Sequence, residues 1–310
     1  EETSTGEVMA GAGVSTDGTN FQFAVKENNW MGKGISVDSF LSFTNSKVSG
    51  NLYINNPNWR YSGNSLITGV DVSSTDRSGT TGYASNRTGL SLGTNFEQYE
   101  NIRLSPSIDI VLEDIEAESD ASDQIKKMDG NFFNADFSYG LTVDKRNQSF
   151  QPTEGYITVF RQTIPLIQDS SSLINSLTVS SYHDFSEDII GSLKFYGKTI
   201  HGIDDDVRLT NRLYIPRNRL RGFNTYKVGP KDGGDYIGGN YVGAVNAEAQ
   251  FPNLLPETYK TDISAFFDVA NVWEVDYSDS ISDSNKIRSS VGLNANVFTP
   301  VGPLSFTLAQ

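Results

Sequence analysis

The sequence predicts an all-β protein, an antiparallel transmembrane β-barrel in a single domain over residues 1–310, and three observations predict it. Apolar and polar residues alternate with period two almost from end to end, and no stretch of helical 3.6 periodicity is framed by caps. Several alternating stretches run to ten residues or more. Strands of soluble sheets usually run to about 5–6, whereas a tilted bilayer crossing takes roughly 9–11. Short turns alternate with long polar connections, the rhythm of barrels that have tight turns on one side of a membrane and loops on the other.

Taken in order, strands are expected at 6–16, 20–30, 35–45, 47–57, 64–76, 87–97, 101–116, 131–145, 154–167, 171–184, 188–202, 240–251, 261–273, 286–298 and 303–310. Met31, Gly32, Lys33 and Gly34 read as a short turn, as do Asn56, Pro57 and Asn58, while 117–130 and 203–239 read as long polar loops. Within 261–273, Ile263, Ala265, Phe267, Val269 and Trp273 fall on one face and Asp262, Ser264, Phe266, Asp268 and Ala270 on the other. Within 240–251, Tyr241, Val245, Ala247 and Phe251 oppose Asn246, Glu248 and Gln250. An apolar face toward lipid and a polar face toward a lumen fit both patterns. Trp30, Trp59, Tyr241, Phe251 and Trp273 near strand ends suit the aromatic girdles of a membrane interface.

The acidic run Glu113, Asp114, Glu116, Glu118, Asp120 and Asp123 could collect a calcium ion, but its spacing matches no calcium loop. It reads as a solvated outer loop, as do Asp204, Asp205 and Asp206. With 38 acidic against 24 basic residues, net −14, the chain repels phosphate backbones, so no nucleic-acid partner is expected. The absence of cysteine excludes disulfides, thiolate zinc sites and cysteine nucleophiles. No run reaches the ~18 apolar residues of a membrane helix. Average hydropathy does not argue against barrel strands, because they alternate lipid-facing and lumen-facing residues. Glu1, Glu2, Thr3, Ser4 and Thr5 carry neither the basic nor the apolar part of a signal peptide, so a mature or excised segment is expected. The histidines, His183 and His201, sit in no Gly-x-Ser-x-Gly or acid-base constellation, so neither catalysis, a cofactor nor a metal is expected.

The segment 203–239 holds Arg219, Leu220, Arg221, Gly222 and Phe223, then Gly229, Pro230 and a return through Gly233, Gly234, Gly238 and Gly239. Downstream follow Glu248, then Phe266, Phe267 and Asp268 before Val272 and Trp273, then Arg288, Ser290 and Gly292, and Thr299, Pro300, Val301, Gly302, Pro303 and Leu304. Near the start stand Gly6, Glu7, Gly11, Gly13, Asp17 and Gly18, then Asn28, Asn29, Trp30, Met31, Gly32, Lys33 and Gly34. In order and approximate spacing these residues resemble the BamA/TpsB-type superfamily of outer-membrane barrels, specifically at both ends and loosely in the middle. That resemblance implies a 16-stranded family barrel. The chain stops at Leu308, Ala309 and Gln310 in what would be the fifteenth strand, so the last strand is expected to lie outside this chain, as are the periplasmic POTRA domains.

The resemblance also implies that Arg221, at the tip of a loop folded into the lumen, pairs with Glu248 and Asp268, with Leu220, Gly222 and Phe223 completing the motif. Strand alternation independently puts both carboxylates on the lumen-facing side of neighbouring strands, where one guanidinium could bridge them. The implied function is insertion of unfolded outer-membrane proteins into the bilayer through a lateral seam, with outer-membrane lipid and the accessory lipoproteins of the BAM machinery as further partners. The first strand, with Gly6, Gly11 and Gly13, would be the weakly paired edge that templates a client strand, or its glycines relieve crowding at a curved wall. The alternative is a protein-export channel of the two-partner secretion type.

Overall fold

The structure is a computed structural model of the 310-residue chain. It describes residues 5–15, 18–169, 171–203, 206–276, 281, 285–299 and 302–310, so Asp17, Asp204, Asp205, Pro300 and Val301 lie outside the described residues.

The strands are β1 (Gly6–Ser15), β2 (Gly18–Trp30), β3 (Ile35–Thr44), β4 (Lys47–Asn56), β5 (Ser65–Asp76), β6 (Tyr83–Tyr99), β7 (Ile102–Ala117), β8 (Gly130–Asp144), β9 (Gly155–Gln168), β10 (Ser172–Ser186), β11 (Ile189–Gly202), β12 (Lys231–Asp232), β13 (Asp235–Tyr236), β14 (Tyr241–Phe251), β15 (Thr261–Trp273), β16 (Arg288–Thr299) and β17 (Gly302–Ala309). The hydrogen-bonded order follows the chain from β1 to β11 and resumes with β14 to β17, while β12 and β13 pair with each other inside the connection between β11 and β14. Registers from β1 to β7 and from β11 through β14 to β17 are antiparallel. Among the described residues no helix is long and apolar enough to cross a membrane, a statement that leaves strand crossings open.

Every strand expected from alternation forms. β6 begins at Tyr83 instead of at 87, because Ala84, Ser85 and Asn86, polar as they are in sum, still pair with β5 on one side and β7 on the other. The turn after β2 is built by sequence-local chemistry: Met31, Gly32 and Gly34 all have positive φ, and the Asn29 side chain accepts from the Gly34 N–H at 2.7 Å.

The chain divides into two compact units: Glu1–Gly140 with Gln162–Leu173 and Gly202–Thr210, and Leu141–Arg161 with Ile174–His201 and Asn211–Gln310. In the first unit, Leu52, Val70, Leu90 and Ile110 stand opposite one another across β4 to β7, and each is exposed. The other face of the same strands aligns Tyr53, Gly69, Ser91 and Asp109. In the second unit, Leu193, Ala247, Phe267 and Val291 form the corresponding outward row, with Leu193, Phe267 and Val291 at 50–57 % exposure. The opposite face of β15 buries Ser264, Phe266, Asp268 and Ala270. Burial is therefore inverted relative to a soluble sheet: polar residues are covered and apolar ones are bare. Water would penalise those rows by roughly 25 cal/mol per Å², whereas a lipid solvent removes the penalty.

Candidate functional site

The connection between β11 and β14 is more ordered than a polar loop. It buries Leu213, Ile215, Leu220, Val228 and Ile237. Leu213 and Gly239 exchange backbone hydrogen bonds at its neck, and the Tyr214 hydroxyl donates to the Tyr236 carbonyl at 3.0 Å. The Asn224 side chain accepts from the Tyr226 N–H and caps the short 3₁₀ turn Thr225–Lys227. The apolar residues stand two to nine apart without a sustained strand or helix period, so alternation could not signal this small core.

At its tip Arg221 meets both expected carboxylates. Its Nε and Nη2 each donate to Asp268 at 2.8 Å in a two-toothed fork, and its backbone N–H donates to the same Asp268 Oδ2 at 3.1 Å. Nη1 reaches Glu248 Oε2 at 3.3 Å. The guanidinium also lies 3.5 Å from the Phe266 ring centroid, close enough for a cation–π contact. Asp268 is fully buried, a position a carboxylate occupies at reasonable cost only when paired and hydrogen-bonded. Burial opposes the Arg221 charge, but the Asp268 fork and Glu248 outweigh it and raise its pKa above the ordinary arginine value.

Surrounding groups fix the acceptors. Asn246 Nδ2 donates to Asp268 Oδ1 and to the Arg219 carbonyl, at 2.8 and 2.9 Å, while Arg219 Nη1 donates back to Asn246 Oδ1 at 3.2 Å. Ser264 Oγ donates to Glu248 Oε1 at 2.7 Å, and Lys194 Nζ stands 4.0 Å from Glu248. The strand register explains the convergence, since Asn246 faces Asp268 and Glu248 faces Phe266 across β14 and β15. The sequence places Arg219 at the head of the motif but assigns no bonding role to it, to Asn246 or to Ser264. Alternation puts Asn246 and Ser264 on the polar face, but no motif distinguishes them from other polar-face residues.

Leu220 is fully buried and Phe223 half-buried. Gly222 has φ +87, and a Cβ there would come within 2.8 Å of the Ala309 Cβ on β17. Only glycine meets both demands without strain. Ala309 in turn pairs with Gly292 on β16, and a Cβ at Gly292 would strike the Leu308 carbonyl and the Phe266 ring. The tip thus touches a closed circuit of residues: Arg221, Phe266, Gly292, Ala309 and Gly222.

Gly6, Gly11 and Gly13 lie in β1, opposite Glu27, Gln22 and Asn20 of β2 in unbroken register. A Cβ at Gly11 would only reach Gln22 Cβ at 4.0 Å, and one at Gly13 would meet nothing. Crowding therefore does not call for glycine at either position.

One expectation is overturned. Glu113, grouped with a solvated acidic loop, lies in β7 at 7 % exposure and accepts from Thr210 Oγ1 at 2.7 Å. The acidic run starts while the strand is still going, so its first member faces inward and only the later ones, such as Glu118 and Asp120, reach solvent. Among the described residues no group of three carboxylates or histidines is placed to hold a metal.

The family profile described as the Omp85 superfamily domain matches residues 29–310. The chain is similar to outer membrane protein assembly factor BamA of Neorickettsia risticii, 27% identical over 205 residues, which are 63% of this chain and 27% of that protein. It is also similar to the human sorting and assembly machinery component 50 homolog, 26% identical over 123 residues, 38% of this chain and 26% of the relative. Those matches thus span about a quarter of either relative's length. The crystal structure of BamA from Haemophilus ducreyi lacking POTRA domains 1-3 superposes with a TM-score of 0.84 at 21% identity, covering 100% of this chain and 67% of that one. CdiB from Acinetobacter baumannii gives 0.64 at 12% identity, covering 98% and 55%. At these identities the structural likenesses establish the fold.

Proposed function

The chain belongs to the Omp85 superfamily, and from that premise we propose that it is the membrane-embedded part of an outer-membrane protein assembly factor, which helps unfolded barrel proteins fold into the bilayer. It is an integral protein of the bacterial outer membrane, with the bare apolar rows facing lipid. The observation that carries the reading is the Arg221 fork on buried Asp268, which holds the tip of the long loop against β14 and β15. A loop fastened in this way gives β15 to β17 a defined arrangement. In this proposal β1, which pairs with β2 and is exposed from Gly6 to Val14 among the described residues, is the strand that pairs with a client strand by β-augmentation.

Accessory lipoproteins and outer-membrane lipid are the further partners in this proposal. No catalytic group or cofactor takes part, the driving force being client burial in lipid and strand hydrogen bonding.

The test is client folding into liposomes by the full protein, comparing wild type with Arg221→Ala and with the Glu248→Ala, Asp268→Ala pair. The insertase reading expects wild type to accelerate folding and both variants to lose most of that acceleration. A wild type that leaves client folding unchanged while conducting ions or exporting a single partner would replace it with the export-channel reading.

A further inference from the structure

A guanidinium that is 2 % exposed is costly unless its donors are matched, and Arg208, near the start of the long loop, is in that position. Its Nη1 lies 3.5 Å from Glu113 Oε2 on β7, and its Nη2 donates to Asn134 Oδ1 on β8 at 3.2 Å. Its guanidinium carbon sits 3.9 Å from the centroid of the Phe132 ring. The residues beside it are tied down as well: Val207 and Leu209 are fully buried, Thr210 donates to Glu113, and the Tyr83 hydroxyl donates to the Leu209 carbonyl at 3.3 Å. Every one of these residues belongs to the first unit.

The chemistry repeats that at the tip. There an arginine meets a buried carboxylate, an asparagine braces the pair, and a phenylalanine underlies the guanidinium. Glu113 and Phe132 hold the matching roles around Arg208, Asn134 accepts from the guanidinium itself, and the two clusters have no residue in common. We propose that Arg208 is a positioning residue that clamps the base of the loop to β7 and β8 independently of Arg221, so that the tip can leave Asp268 while the loop remains tethered. The loop then moves as a hinged flap and is not expelled as a whole. Burial pushes the Arg208 pKa below the usual arginine value and Glu113 opposes this only in part, the reverse of the balance at Arg221. Releasing the base would uncover Val207 and Leu209 with the Glu113 pair, and releasing the tip would uncover Leu220 with Asp268, so each release is a separate event.

The base clamp does not depend on the insertase reading, and its readout is separate from client folding. Amide hydrogen exchange of the full protein in lipid vesicles would be followed for wild type, Arg208→Gln, Arg221→Gln and the double variant. Arg208→Gln is expected to speed exchange at 207–211 by roughly a hundredfold or more while 219–223 keeps its wild-type rate, and Arg221→Gln to do the converse. The double variant should free both. Because Arg208→Gln leaves Glu113 buried without its cation and could block folding, Arg208→Lys is measured beside it. Lysine keeps the charge but loses the simultaneous contacts to Glu113 and Asn134 and the stacking on Phe132, and should loosen 207–211 by about tenfold. Unchanged exchange at 207–211 in both Arg208 variants, or its release by Arg221→Gln alone, would overturn the proposal.

Discussion

β1 and β15 are both regular antiparallel strands, yet they are held by different forces. From Gly6 to Val14 every side chain of β1 is exposed, Val8 at 81 % and Val14 at 85 %. Among the described residues it pairs with β2 in an unbroken backbone ladder. β15 has a neighbour on each side, and Ser264, Phe266, Asp268, Ala270 and Val272 are all buried on one face, with Arg221 of the loop clamped to the central carboxylate. Backbone pairing without side-chain cover is worth little in isolation, as two-stranded ribbons show. Among the described residues one strand is thus packed and charge-clamped on one face while the other is exposed beside its backbone ladder, the contrast on which the templating proposal draws.

The largest break in this contrast should come from Asp268→Ala. It leaves Arg221 without its forked partner and is expected to cost about 3–5 kcal/mol, read as a lowered midpoint in denaturant titrations of the micelle-embedded protein. Gly292→Val comes next. Its side chain would be driven into the Leu308 carbonyl and Phe266, so overpacking of about 1–3 kcal/mol should appear in the same titration together with faster exchange at 304–309. A sharpening of the contrast runs in the opposite direction: Gly11→Val and Gly13→Val enter open space and replace glycine by a strand former, so each should stabilise β1 by about 1 kcal/mol. Slower amide exchange in β1 measures that gain, and slower client folding in liposomes should accompany it if β1 is the templating edge. The smallest effect belongs to Arg87→Ala. Its pair with Asp71 at 3.1 Å is between partly exposed side chains, so a loss of about 0–1 kcal/mol is expected in thermal unfolding.

The strands were legible because a wall with different solvents on its two faces must alternate, and alternation needs nothing beyond the local sequence. The partners of Arg221 were legible through the family resemblance, with alternation agreeing that Asp268 and Glu248 sit on one face of two adjacent strands, where register makes them diagonal neighbours. What the sequence does not signal depends on distant segments. Arg208 stands after an acidic stretch with no period of its own, and only the folded chain reveals that Glu113, Asn134 and Phe132 surround it. Glu113 was hidden in an acidic run whose later members are indeed solvated. The pair β12 and β13, two residues each, is too short for any periodicity to register.

Hydrogen exchange on the full protein in outer-membrane lipid vesicles, with and without an unfolded client, tests the division between the two strands most directly. Amides 7–14 of β1 are expected to exchange at least about a hundredfold faster than amides 264–272 of β15, and addition of client should slow β1 selectively. Equal protection of β1 and β15, or a client that protects the loops while leaving β1 unchanged, would contradict it.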